Sequence, residues 1–248
     1  MPARGPVRAP DRPPERGAIA REQLIAHATR IFAAKGYAAA STREICQAAG
    51  ANVAAIHYYF GDKEGLYRAV LTRPISAITD QFGGFADPAL PFAQAIRQVL
   101  QPFVAMAFDT DADARQVQRL HLREALEPSP VFRDVIARIV VPQHNALAGL
   151  LARHCGLARP DAGIHQLAFA LVALANDYCV SREFISLLAP KVLSRADAES
   201  RIVDRLVGYS VALLEHEIAQ RRAASPVKTA RKRAAPRTAR AGAADRQG

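Results

Sequence analysis

The chain has 248 residues, half of them apolar, and a formal net charge of +10. Its length suits one large or two small domains, and its apolar half is enough for a sizeable core, which excludes a wholly disordered chain. It contains no run of about 18 apolar residues and no secretory h-region, so neither a membrane span nor export is expected.

The charge is uneven. Residues 1–20 carry four Arg against two acids, and residues 223–248 carry seven Lys and Arg against one Asp, which leaves +2 for the stretch between. The basic character comes mostly from the ends. Residues 1–20, with five Pro and no apolar run, predict a disordered arm over about 1–18. A helix is expected from about Arg21 to Lys35, with Leu24, Ile25, Ala28, Ile31 and Phe32 on one stripe and Gly36 as its C-cap.

The next stretch, STREICQAAGANVAAIHYYFGDKEGLY over residues 41–67, is the most informative. Thr42 is a fit N-cap, Ile45, Ala48 and Ala49 recur at helical spacing, and Gly50 ends that helix. Asn52 caps a second short helix, Val53 to Tyr59, in which Ile56 and Phe60 share a face. Gly61 breaks it, and Asp62 caps a third helix carrying Leu66 and Val70. Two short helices joined by a turn of about three residues containing Gly describe a helix-turn-helix, whose second helix enters the DNA major groove. Val53, Ala54 and Ala55 are small or apolar enough to approach thymine methyls, and His57, Tyr58 and Tyr59 add hydrogen-bonding rings. Thr42, Tyr58 and Lys63 are placed to meet phosphates, as is the helix opening after Asp62. Arg43 and Asn52 complete the candidate DNA-contacting set.

Beyond Gly65 the helix continues until Pro74, where it bends or a new one begins. FGGFADPALP, residues 82–91, is a loop by composition. A helix from near Pro91 carries Phe92, Ile96, Val99, Leu100, Phe103 and Met106, with Pro102 as a kink point. After an acidic turn at 109–115 a helix runs to Glu127, and the PSP at 128–130 separates it from one with Val131, Phe132, Val135, Ile136, Ile139 and Val140. Pro142 permits another kink before His144–His154. Pro160 opens a long helix, about 161–188, that is apolar nearly all round, and a last helix spans about 195–222. The expected architecture is all-α with about nine helices: a three-helix DNA-binding domain over 19–67 and a larger helical body over 68–222. The tail, 223–248, is basic and is expected to be disordered.

The segment AGANVAAIHYYFGDKEGLYRAV resembles the recognition helix and following helix of TetR-family transcriptional regulators. The matching residues are Ala49-Gly50, the cap Asn52, the aromatic run Tyr58-Tyr59-Phe60, and Lys63. REQLIAHATRIFAAKGYAAAST upstream resembles the family's first helix, so the likeness covers roughly residues 19–73. Val53 departs from a position that is often polar or basic in the family. Further on, LHLREALEPSPVFRDVIARIVVPQHNALAGLLARHCG is similar to the YbiH/CerR-type effector domain, through Arg123, Glu124, Pro128, Ser129, Phe132, Pro142 and His144.

The resemblance implies a helical effector domain and a dimer formed by the last two helices. Independently of it, a helix-turn-helix usually reads two half-sites through a dimer. Phe103, Met106, Phe108, Leu120 and Phe132 are candidates to line an apolar pocket. His121, Arg123, Glu124, His144, Asn176, Asp177 and Arg182 are its candidate polar groups. Arg123 and Glu124 are equally suited to bracing helices, and Asp177 to pairing with Arg182. Cys46, Cys155 and Cys179 have no metal-ligand spacing and read as reduced thiols. His121, His144, His154 and His165 form no metal-binding helix pattern. No enzyme, cofactor or metal is expected.

The expected function is that of a cytoplasmic, homodimeric repressor, nucleoid-associated when DNA-bound. It would bind a palindromic operator and be released by a small-molecule effector, with the basic tail as a non-specific DNA tether. Two rivals are a basic architectural DNA binder of little sequence preference and a helical enzyme or binding protein that happens to contain the hairpin.

Overall fold

The computed structural model describes residues 15–82, 84–109 and 112–224. Of the expected arm, residues 1–14 lie outside these, as do residues 225–248 of the expected tail. Among the described residues the chain is helical throughout its regular elements, with no strand. Eleven α-helical segments stand where about nine helices are expected. The surplus comes from two breaks that hydropathy does not register.

α1 (Glu15–Ala39) begins earlier than the expected Arg21, so residues 15–18 are helix rather than arm. At Gly36 the backbone leaves helical geometry with φ 76° and ψ 172°, a conformation that a side chain would strain. α2 (Thr42–Ala48) is capped by Ser41, whose Oγ accepts the Glu44 N–H at 3.1 Å. Thr42 was the expected cap and is instead the first helical residue. The extended backbone that a cap needs, φ −112° and ψ 143°, falls one position earlier. α3 (Val53–Phe60) is capped by Asn52 and α4 (Lys63–Thr79) by Asp62, both as expected from the sequence. Gly65 belongs to the α3–α4 joint: a Cβ there would sit 1.9 Å from the Phe60 carbonyl oxygen, so no larger residue fits without moving backbone. α4 runs continuously through Pro74 to a 3₁₀ turn, Asp80–Phe82.

The body contains α5 (Phe92–Phe108), α6 (Ala112–Leu126), α7 (Pro130–Val135), a π-helical turn at Ile136–Val140, and α8 (Val141–His154). In the π turn the Val141 N–H reaches back five residues to the Ile136 carbonyl. Pro142, which cannot donate, then opens α8, so the extra residue accommodates the proline at a helix start. By length and composition alone, Pro130–His154 is apolar enough to cross a membrane. Here Val131, Phe132, Val135, Leu147, Leu150 and Leu151 are buried in the protein's own cores. The helix expected over 161–188 is two: α9 (Ala162–Val180) and α10 (Arg182–Leu188). Ser181, at φ −97° and ψ 16°, breaks it, its hydroxyl donating to Asp177 Oδ1 at 2.6 Å. A 3₁₀ turn at Pro190–Val192 leads on to α11 (Ala198–Ala224), which closes the described chain.

Burial divides the side chains into two cores that do not follow chain order. One joins α5, α8, α9 and α11 through residues such as Ile96, Leu100, Leu151, Leu171 and Leu206. The other joins α1–α4 to α6 and α7: Phe32, Ile45, Ile56, Leu66 and Tyr67 pack with Leu120, Val131, Phe132 and Val135. Phe32 meets Tyr67 edge-on at 4.7 Å, and Tyr37 lies 4.8 Å from Tyr67. By packing, then, α6 and α7 belong with the DNA-binding half, although they lie beyond residue 67 in the chain, and α4 runs across that expected boundary.

Polar contacts reinforce this union. Arg30 forms a bidentate pair with Asp113, joining α1 to α6. Arg68 reaches Asp134, joining α4 to α7. The buried Glu124 carboxylate accepts the Tyr67 hydroxyl from α4 and the Ser129 N–H, at 2.8 Å, from the start of α7. Burial first, and the Glu124 contact second, push the Tyr67 phenol well above its ordinary pKa, so it stays a donor. Glu124→Ala strands the buried Tyr67 hydroxyl and leaves the half-buried Ser129 N–H without its partner, and is expected to cost about 2 kcal/mol in a urea melt of the intact chain. An unchanged midpoint would show that these contacts are dispensable.

Candidate nucleic-acid interface and effector cavity

The helix-turn-helix presents a compact outer face. Cap chemistry sets its angle: Asn52 accepts the Ala54 N–H at 3.1 Å, and Gly61, at φ 82°, closes α3 on the His57 carbonyl. Ile56 anchors α3 in the core. Outside lie Val53, 40% exposed, Ala54, His57 and Tyr58, 82% exposed. Two exposed large hydrophobic side chains, Val53 and Tyr58, thus share one short helix with the polar ring of His57. His57 holds its ring with Nδ1 2.6 Å from the Gly61 carbonyl, which leaves Nε2 available. Arg43 is exposed and Thr42 half-buried at the start of α2.

Not every expected contact residue faces outward. Ala55 and Tyr59 are half-buried against the small domain's core, and the Tyr59 hydroxyl lies near Gly17 of α1. Tyr59 is thus a packing residue that backs Tyr58, whose ring meets it edge-on at 4.8 Å. Lys63 lies over the Tyr37 ring at 4.6 Å, its Nζ 3.4 Å from the Ala38 carbonyl. Cys46, beneath this face, is buried, and burial pushes its thiol up. That disfavours the reactive thiolate.

The second candidate site is a cavity of about 460 Å³ between the two cores. Pro74, Ile75, Ile78 and Thr79 of α4 form one wall, and Phe103 and Met106 of α5, Phe132 of α7, and Phe169 and Val172 of α9 form others. Gln118, His121, Gln143, His144 and Asn176 supply its polar groups. Of the expected pocket residues, Phe103, Met106, His121, Phe132, His144 and Asn176 come together here. Phe108, Leu120, Arg123, Glu124, Asp177 and Arg182 do not: Phe108 packs against the body core and Leu120 is buried in the core of the DNA-binding half. Arg123 places its guanidinium against Gly36, where a Cβ would come within 2.8 Å. Glu124 is the brace described above, Asp177 accepts from Ser181, and Arg182 is exposed. A charged group on an apolar helix has the same sequence signature whether it braces or binds. The α4 wall was missed because Ile75 and Ile78 look like an ordinary apolar stripe.

His121 ties the cavity to α4. Its Nδ1 lies 3.0 Å from the Val117 carbonyl and its Nε2 3.2 Å from the Leu71 carbonyl, one turn ahead of Pro74. Burial lowers its pKa, against the pull of the two carbonyls. A neutral imidazole has one N–H and serves one of them at a time.

Comparison with known proteins gives these features a context. Residues 24–70 match the family model described as bacterial regulatory proteins, tetR family. Residues 92–215 match the model for the C-terminal domain of the HTH-type transcriptional dual regulator CecR. The CecR of Shigella flexneri is 29% identical over 215 residues, covering 83% of this chain and 96% of that protein. The HTH-type transcriptional activator FasR of Mycolicibacterium smegmatis is 30% identical over 160 residues, 63% of this chain and 69% of the relative. Among solved structures, a TetR-like regulator from Rhodococcus sp. RHA1 superposes with a TM-score of 0.54 at 18% identity, over 83% of this chain and 99% of that one. AibR, solved in complex with isovaleryl coenzyme A and operator DNA, gives 0.53 at 18% identity, over 77% and 97%. These last two speak to the fold alone.

Proposed function

Because the chain belongs to the TetR family of bacterial regulatory proteins, with a CecR-type C-terminal domain, we propose that it is a cytoplasmic homodimeric repressor released from a palindromic operator by a small-molecule effector. DNA binding and transcription regulation come with the family.

The observation that carries the reading is the position of the cavity. It lies between the core that contains the helix-turn-helix and the core of the body, and one of its walls is the C-terminal half of α4. The N-terminal half of the same helix packs beneath α3 through Leu66 and Tyr67. A ligand that fits the cavity better in one setting of α4 must shift the setting of α3, because packed cores transmit displacement. α6 and α7, braced by Glu124, Arg30–Asp113 and Arg68–Asp134, move with the DNA-binding half.

For the dimer, the supporting feature is apolar surface that a lone protomer leaves in water. Phe184, Leu187 and Leu188 of α10, and Tyr209 and Leu213 of α11, are exposed, Leu187 and Leu188 by 78% and 84%. To read two half-sites one turn of DNA apart, protomers joined there would need to hold their two α3 helices about 34–36 Å apart.

Linkage provides the test. With an operator selected from random DNA, saturating the protein with it should weaken binding of the neutral fluorophore N-phenyl-1-naphthylamine to the cavity by about 5–150-fold. Equal affinity with and without operator overturns the effector reading.

A further inference from the structure

We propose that His144 and His165 form an anion-binding end of the cavity, and that the effector class is a ring-bearing organic monoanion, such as an aryl carboxylate, whose binding draws a proton onto the histidine pair. The proposal rests on the effector reading above and names the ligand chemistry that reading leaves open.

His144 on α8 lines the cavity, and its Nε2 lies 2.9 Å from Nδ1 of His165 on α9. At that distance one ring donates an N–H to the other's lone pair, so the neutral pair holds one bridging proton. The Nδ1 of His144 makes no hydrogen bond among the described residues. It already carries an N–H where His165 is the donor of the pair, and where His144 donates it gains one when the pair takes up a further proton. The ring is also stacked on Phe169 at 4.6 Å, an arrangement that favours positive charge on the imidazole.

What the pair lacks is a counter-ion. Among the described residues, the titratable groups that line the cavity are His121 on α6, His144 on α8 and Cys179 on α9, and no Asp, Glu, Lys or Arg lines it. Asp161, one turn before His165 on α9, is committed to Arg221 at 2.7 Å and to capping the helix. Burial, and the proximity of His165, hold the His144 pKa below its ordinary value, so without a ligand His144 is neutral near pH 7. A half-buried cation without a carboxylate is costly unless a ligand supplies the anion. A carboxylate accepting from the His144 Nδ1–H raises the pKa of the pair, and one proton is taken from solvent. Affinity therefore rises as pH falls toward the pair's own titration and levels off below it. The remaining walls, with the rings of Phe82, Phe103, Phe132 and Phe169, suit an apolar ring body.

The test compares 2-naphthoate with its neutral isostere 2-naphthamide, by titration calorimetry on the full chain. The acid should bind at least about tenfold more tightly than the amide near pH 6, with the gap closing toward pH 8.5. Runs near pH 6.5 in phosphate and in a buffer of higher ionisation enthalpy should report net uptake of a fraction of a proton, up to about one half, per acid bound. His144→Gln should abolish both the preference and the uptake while keeping the amide affinity, and His165→Gln should reduce the uptake. Thermal melts verify that each variant is folded. If the amide binds as tightly as the acid near pH 6, or the acid binds with no proton uptake, the anion proposal falls and the effector cavity stands. If neither probe binds at millimolar concentration, both fall.

Discussion

Val53→Glu is expected to lower operator affinity by about 100-fold or more while leaving the protein as stable as before, or slightly more so. Val53 is the first residue of α3 and is exposed. A carboxylate there favours the helix, because the first turn presents unpaired N–H groups and the positive end of the macrodipole. In the major groove the same carboxylate replaces an apolar contact to a base with a charge facing phosphates. Loss of one good base contact is worth about 1–3 kcal/mol, and the repulsion adds to it. Fold and binding thus move in opposite directions, which separates a recognition helix from a merely packed one. Operator binding measured by fluorescence anisotropy, beside a thermal melt, reads both. A folded variant with undiminished affinity would remove α3 from the interface.

Leu213→Arg is expected to yield monomers whose operator affinity has fallen by two or more orders of magnitude. Leu213 and Tyr209 lie one turn apart on the outer side of α11, while Ile202, Leu206, Ser210 and Leu214 face the core. A substitution at Leu213 therefore leaves the protomer's packing intact. In a two-fold interface it introduces two guanidinium groups at once, both desolvated and unpaired. Two half-sites read by one rigid dimer gain an effective concentration in the millimolar range, and a monomer forfeits it, at a cost of about 10²–10⁴ in avidity. Sedimentation velocity gives the mass and anisotropy the affinity. A variant that remains dimeric would move the interface away from α11. A monomer with full affinity would remove the need for two half-sites.

The parts of the molecule that were legible in the sequence are those fixed by neighbours three or four residues away. Asn52, Asp62, Gly36 and Gly61 punctuate the DNA-binding domain as their chemistry requires, and Ile56 and Leu66 face inward at helical spacing. Even there Ser41 and Thr42 were indistinguishable as caps, since both carry a hydroxyl and only the backbone decides. What was not legible depends on which of two cores a helix chooses. The apolar residues of α6 and α7 would serve either, and nothing local assigns Leu120 or Phe132 to Phe32 and Tyr67. The break at Ser181 is equally silent in an apolar helix.

The same limit governed the candidate sites. Of the expected DNA-contacting residues, Tyr59 and Ala55 pack inward because the face of α3 turns within two residues. Of the expected pocket polar groups, Glu124 became a brace and His144 a cavity wall, although both sit among apolar residues in helices. Only the three-dimensional partner tells them apart: Tyr67 and Ser129 for one, His165 and empty space for the other.

We propose that a dimer presents two copies of α3 to two half-sites. Selection of bound sequences from random duplex DNA by the full chain tests it most directly. The expected result is an enriched palindrome whose half-sites are centred about one helical turn apart, or a multiple of it. Enrichment of no motif, with retention that tracks salt alone, would contradict it and leave a basic chain that binds DNA by charge.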